Sequence, residues 1–252
     1  MPVKPPKYDL IPKRGERAFV VGQTGSGKSA FVAQFLLPRV DISPVIIYDT
    51  KEEPKFDLLK PARVVSTQAG LDDAYVDQEV DYIIVRPPIS VTSNPDALDA
   101  MLYHHYEFYP DSVAYIDELY QFVRNFRAGP GLQGLLTRGR SRGITTIMAT
   151  QRPAFIPMFA LTESQKFYVF FLAHEDDRKR IAKVIRGFSD LPDPAVHGFY
   201  FYELGPGNEI AKYGPIKLDK TLDVGYTDTA VMPETGPGAS PELPRNTGKV
   251  WI

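Results

Sequence analysis

Residues 22–29 read Gly-Gln-Thr-Gly-Ser-Gly-Lys-Ser and follow directly on the apolar run at 17–21. The spacing G-x-x-x-x-G-K-S, with a buried strand before it and a helix after it, is the pattern of a phosphate-binding loop. Its glycines let successive backbone N–H groups turn towards an anion. The helix expected over 29–37, ended by Pro38, would aim the positive end of its dipole at the same point. The stretch assigned to nucleotide phosphates is Gly22, Gln23, Thr24, Gly25, Ser26, Gly27, Lys28, Ser29 and Ala30. In it, Lys28 would reach the β- and γ-phosphates of ATP and Ser29 would offer its hydroxyl to Mg²⁺.

Further strands are expected at 44–48, 63–65, 81–85, 112–116, 144–149 and 166–173, each a short apolar run. Helices are expected over about 95–109 behind an Asn94 or Asp96 cap, 119–126, 132–141 and 176–186. Strands alternating with helices imply βαβ units, hence an α/β fold with a mainly parallel central sheet flanked by helices. Residues 199–204 and 210–218 flank Gly205-Pro206-Gly207-Asn208 and read as a C-terminal β-hairpin.

In such a sheet, ligands bind beyond the carboxyl ends of the strands. The glycine loop, Asp49, Asp117-Glu118 and Gln151 all stand just after strands, so they converge on one edge. Asp117 suits a magnesium ligand acting through water. Glu118 suits a general base for the attacking water. Gln151 can touch both the γ-phosphate and that water. Arg138, Arg140 and Arg142 precede the Gln151 strand at alternate positions. They cannot all point one way on a helix, but one could supply a guanidinium to a γ-phosphate.

Other features point less sharply. Arg178, Lys179, Arg180, Lys183 and Arg186 give a late helix a basic side, read first as a solvated face and second as a DNA-backbone contact or subunit interface. The run 199–202 is read as strand core rather than a stacking platform. The four histidines lack metal-ligand spacing, and the absence of cysteine removes disulfides and thiolate metal sites. A net charge of −2 argues against a global basic field, leaving nucleic-acid contacts to local clusters. The proline-rich start does not read as a signal peptide, and the longest apolar runs fall far short of a membrane span, so no transmembrane segment is expected. Three parts are expected: a basic arm at 1–16, a P-loop domain at 17–218 and an extended tail at 219–252. The tail's proline-rich composition breaks only at Val250-Trp251-Ile252, a candidate docking peptide.

Taken together, GQTGSGKS, VIIYDTKEE, VAYIDE and GRSRGITTIMATQRP resemble the FtsK–HerA superfamily of DNA-pumping P-loop ATPases. The last segment is the specific one, and the resemblance covers about residues 17–187. It implies an ASCE- or RecA-like domain in a homo-oligomeric ring, a hexamer or pentamer, with nucleotide at subunit interfaces and double-stranded DNA through the middle. It implies Asp117 and Glu118 in the Walker B role, Gln151 as sensor, and Arg140 or Arg142 as a finger reaching the neighbour's ATP. A short member of this kind resembles the genome-packaging ATPases of icosahedral viruses. That would place it in the host cytoplasm or at the capsid vertex, with the tail towards a capsid or portal partner. A cellular or plasmid DNA-transfer motor, and a nucleotide-switched assembly factor, are the alternatives.

Overall fold

Every residue of the first strand, β1 (Arg17–Val21), is buried, and its side chains feed two cores in alternation. Phe19 and Val21 join one hydrophobic cluster, Ala18 and Val20 the other. The same split recurs in β2 (Val45–Tyr48) and, after β3 (Ala62–Val65) and β4 (Tyr82–Val85), in β5 (Val113–Ile116). A strand covered on both faces has no reason to alternate apolar and polar residues, which is why these segments read as unbroken apolar runs. Each large side chain so buried contributes about 1.5–3 kcal/mol.

The computed structural model describes residues 9–205 and 208–215, with the backbone alone at 217–218 and 250–251. The sequence-based expectations for residues 1–8, the hairpin tip at 206–207 and most of the 219–252 tail therefore lie outside the described residues. After the short hairpin β6 (Val123–Arg124) and β7 (Arg127–Ala128) come β8 (Thr145–Thr150), β9 (Lys166–Val169), β10 (Phe199–Glu203) and β11 (Ala211–Tyr213). The main sheet has nine strands in the order β11-β10-β9-β1-β8-β5-β2-β4-β3. Seven are parallel, and β10 and β11 close one end antiparallel, the expected C-terminal hairpin. Strand β8 lies between β1 and β5, so the loop after β8 sits between the glycine loop and Asp117. The backbone of Lys217–Leu218 pairs antiparallel with that of Val250–Trp251.

Several elements differ from expectation. The helix after the glycine loop begins as α1 (Lys28–Phe31), widens to a π turn at Val32–Leu36 and tightens to a 3₁₀ turn at Leu37–Arg39. Pro38, which has no N–H to donate, is absorbed by this change of register rather than ending the helix before it. The helix expected over 119–126 is instead one 3₁₀ turn, Leu119–Phe122, followed by the β6–β7 hairpin. Asn125 (φ 50°) and Phe126 (φ 61°) form the left-handed two-residue turn that hairpins favour. Gly129-Pro130-Gly131 does not break a helix; Pro130 opens one, α5 (Pro130–Arg138), after α2 (Gln68–Tyr75), α3 (Ile89–Thr92) and α4 (Pro95–Phe108). The side chain of Asp99 in α4 accepts the first N–H groups of α5, from Gly131 and Leu132, each at 2.9 Å. Helix α2 escaped the sequence reading although Thr67 caps it, its hydroxyl accepting the Gly70 N–H at 3.1 Å.

The described part of the basic arm, residues 9–16, packs on the amino edge of the sheet. Leu10 is buried, Tyr168 donates its hydroxyl to the Leu10 carbonyl, and Gly15 N–H donates to Thr145 Oγ1 at 2.9 Å. The late basic helix is α7 (Glu175–Ala182), after α6 (Met158–Thr162). Two of its cations turn inward: Arg178 donates to the Leu191 carbonyl and to Asp193, and Arg180 to the Ile156 carbonyl. Lys179 pairs with Glu175 at 2.8 Å. Phe199, Tyr200 and Phe201 are buried, as strand-core residues should be.

Neither adjacent histidine sits in a metal cluster; among the described residues no group of three or more His, Asp or Glu is placed to hold one. His104 contacts Asp72, and the fully buried His105 lies between the Tyr48 hydroxyl (3.0 Å) and the Ser112 hydroxyl (2.9 Å). Burial, with His104 beside it, pushes the His105 imidazole from 6.5 down to about 3. Between those values the unfolded chain binds a proton that the folded chain refuses. The stability tied to His105 is therefore full above pH 6.5 and is lost as pH falls towards 3. His105→Gln, which can keep both hydrogen bonds, is expected to flatten that acid limb in denaturant melts across the window. An unchanged limb would assign the acid sensitivity to other groups.

Candidate nucleotide-binding and catalytic site

The glycine loop leaves β1 at Val21 and is pinned at its start. Gly22 N–H donates to the Thr150 carbonyl at 3.3 Å and Gln23 N–H to the Phe171 carbonyl at 3.0 Å, tying it to the ends of both neighbouring strands. A Cβ on Gly22 would sit 2.6 Å from both the Phe170 Cβ and the Ser26 Oγ, so a side chain there would force the loop apart. Gly25 (φ 81°) and Gly27 (φ 97°) are left-handed, the conformation that turns consecutive N–H groups to one side. Ser26 Oγ is buried with no hydrogen-bond partner. A buried hydroxyl is costly to leave unpaired, and its place inside the loop is where an anion's oxygen would satisfy it.

Lys28 opens α1 and is buried at 6% exposure; Ser29 is half-buried and Ala30 buried beside it. Burial pulls the Lys28 ammonium down from its ordinary value, and Asp117 and Glu118 pull it back up. Asp117 shows the mirror image. Burial raises its carboxyl, while Lys28, Lys51 and the Tyr115 hydroxyl, 3.0 Å away, lower it. Lys28, Asp117 and Glu118 form one buried charge cluster, in which each ion is tolerated because the others are present, and Lys51 joins it from the solvent side.

Glu118 follows at the end of β5 with its own backbone left-handed (φ 58°, ψ 68°). Its Oε1 accepts the Thr150 hydroxyl at 2.7 Å and the Gln151 N–H at 3.3 Å. Its Oε2 meets Lys51 Nζ at 2.6 Å. Gln151 closes the circle, its side-chain Oε1 accepting the Thr24 hydroxyl at 2.7 Å. The loop, Gln151 and Glu118 of the acidic pair are thus linked by direct hydrogen bonds, with Asp117 beside them coupled to Lys28. Lys51 and Thr150 had been overlooked. Lys51 stands in VIIYDTKEE, three residues past a strand end, and its position there was the available signal.

The arginines separate. Arg142 donates to the Glu107 carbonyl at 2.6 Å and lies over the Tyr106 ring at 5.2 Å, so it is turned into its own chain. Arg138 and Arg140 are exposed. Arg140 stands in the 3₁₀ turn Gly139–Arg142 that leads into β8 at the amino edge, close against Gly15. None of the three is brought to the glycine loop of its own chain, since that loop leaves β1 at the carboxyl edge.

No protein-family model matches the chain. It is 28% identical over 213 residues to the DNA packaging ATPase P9 of Enterobacteria phage PRD1, an alignment covering 79% of this chain and 86% of that protein. Among solved structures, the genome packaging NTPase B204 of Sulfolobus turreted icosahedral virus 2 in complex with AMP matches with a TM-score of 0.63. It is 19% identical, over 80% of this chain and 98% of that one. The same NTPase in complex with ATP-γS also matches at 0.63, with 20% identity. The structural likeness bears out the P-loop α/β fold with its mainly parallel sheet, and the phage relative bears out the resemblance drawn from the motifs.

Proposed function

We infer that this chain, a relative of viral packaging ATPases of the FtsK–HerA kind, hydrolyses ATP to drive double-stranded DNA into a preformed capsid. The observation that carries the reading is the contact circuit Thr24–Gln151–Glu118–Thr150, which joins the phosphate loop, the sensor strand and the acidic pair at one sheet edge. A circuit of that kind lets a change at the γ-phosphate reach the loops that follow β5 and β8.

The roles follow from placement. The left-handed glycines and the N-terminus of α1 cradle the phosphates, and Lys28 neutralises them from inside the loop. Gln151 orients the attacking water against the γ-phosphate, and Glu118 takes its proton. The residues also suit a hydrated magnesium ion, which prefers hard oxygen donors and few protein ligands. The Ser29 hydroxyl and the Asp117 carboxylate would hold it, and the unpartnered Ser26 hydroxyl fits a phosphate oxygen beside it. Bound there, the metal would neutralise charge on the phosphates.

The exposed Arg140 supports a ring in which each finger serves the neighbour. Among the described residues no helix is long and apolar enough to cross a membrane. The host cytoplasm or the capsid vertex, with the 219–252 tail as the contact to the capsid, remains part of the proposal.

Lys28→Ala tests the loop. Losing a charge-assisted partner to phosphate is expected to weaken nucleotide binding roughly ten- to hundredfold and to bring phosphate release down to background. The wild-type chain should hydrolyse faster when linear duplex DNA is added. Wild-type turnover by Lys28→Ala would remove the loop from the mechanism. Turnover indifferent to DNA would favour a nucleotide-switched assembly factor.

A further inference from the structure

The segment after β2 is folded around one buried carboxylate. Asp49 is fully buried; its Oδ1 accepts the N–H groups of Lys51 (3.3 Å) and Glu53 (3.0 Å), and its Oδ2 accepts Arg86 Nε at 2.9 Å. Arg86 is fixed in turn by Asp57 at 2.9 Å and by its own backbone bond to Val65. With Glu52 left-handed (φ 53°), this turn carries Lys51 to Glu118, 67 residues along the chain.

The consequence for Glu118 is specific. One carboxylate oxygen is engaged by the sensor strand, and the other by an ammonium at 2.6 Å. A general base needs a free lone pair aimed at the water it deprotonates. In this arrangement the only oxygen not held by β8 and the residue after it is covered by Lys51. Glu118 is nearly buried at 8% side-chain exposure, whereas Lys51 is about one-third exposed (34%) and has room to move. Lys28 and Lys51 lie close enough to repel each other and share the same two carboxylates. A third phosphate set between the two ammonium groups would be a competing anion for the more mobile of them.

We propose that Lys51 is a positioning residue that reads the third phosphate. It holds Glu118 Oε2 until a γ-phosphate draws it away, and this exchange frees Glu118 to accept the proton of the attacking water. A nucleoside diphosphate offers nothing in that position and leaves Lys51 on Glu118. The proposal rests on the ATPase reading above and adds the residue that makes hydrolysis conditional on the third phosphate.

A double-mutant cycle measures the exchange without requiring turnover. Wild type, Lys51→Met, Glu118→Gln and the double variant would be titrated with ATP-γS and with ADP by isothermal calorimetry. In wild type, binding the triphosphate must break the Lys51–Glu118 pair. Glu118→Gln weakens that pair and is expected to tighten ATP-γS relative to ADP by at least about threefold, a coupling in the range seen for contacting charged residues. With Lys51→Met already in place, the same change should leave the ratio within a factor of about two. Lys51→Arg, which keeps the charge, should restore the coupling.

ADP affinity reports folding and an intact loop in every variant. A cycle that is additive for ATP-γS, in variants that all bind ADP, would overturn the role of Lys51. Failure of the wild-type chain to bind either nucleotide would instead overturn the reading on which the proposal rests.

Discussion

Glu118→Gln is expected to keep nucleotide bound and to slow hydrolysis by about two to four orders of magnitude, the usual cost of losing a positioned general base. The substitution preserves shape. A glutamine can still accept the Thr150 hydroxyl and the Gln151 N–H that now hold Glu118 Oε1, so the link to the end of β8 survives. It loses the ability to take a proton from water. It also removes the partner of Lys51, which is exposed enough to be solvated, so no buried cation is stranded. Asp117→Asn should behave differently. Asp117 is buried against Lys28 and proposed to hold the metal, so its loss should remove the dependence on magnesium together with activity. Single-turnover phosphate release, with nucleotide retention measured in parallel, separates the two variants. Wild-type release by Glu118→Gln would place the base elsewhere.

The parts of this site that were legible in the sequence are those made by consecutive residues. The glycine loop carries its geometry in its own spacing, and a strand buried on both faces announces itself as an apolar run that stops at a charged pair, as β5 stops at Asp117-Glu118. Parallel alternation then gathers strand ends onto one edge, so Gln151 could be assigned to the loop's neighbourhood before any contact was known.

Illegible were contacts between distant loops. Lys51 reaches Glu118 only because Asp49 and Arg86, each just past the end of one of two adjacent strands, fold its turn. The β6–β7 hairpin was hidden because Phe126 adopts a left-handed conformation that its side chain does not favour. Its ring packs against Phe155 at 5.9 Å from the loop after β8. Local propensity carries no trace of a partner that far along the chain. Arg140 and Arg142 looked alike for the same reason: what distinguishes them is the carbonyl of Glu107 and the ring of Tyr106, both on α4.

That distinction turns a choice between two arginines into a test of the ring. Arg140→Ala is expected to bind ATP as wild type does and to hydrolyse it about three orders of magnitude more slowly, as loss of an arginine finger does elsewhere. Arg142→Ala should act mainly on stability, because its guanidinium bonds and packs within its own chain. Arg140 stands before β8, and Gln151 follows its far end. A six-residue strand separates them, so Arg140 cannot approach the γ-phosphate held by its own glycine loop. In the proposed ring, a neighbouring subunit's nucleotide is the one Arg140 would serve. Mixing Arg140→Ala with Lys28→Ala subunits should then restore part of the activity that neither has alone. Interfaces reappear in which an intact loop on the arginine variant faces an intact arginine on the loop variant. Recovery should rise and fall with the mixing ratio and peak near equal amounts. If subunits demonstrably exchange and no mixture recovers, the site is complete within one chain and the trans-acting arginine is wrong. If Arg140→Ala is fully active while Arg142→Ala is not, the finger lies two residues along, and Arg142 must leave Glu107 and Tyr106 when the ring forms.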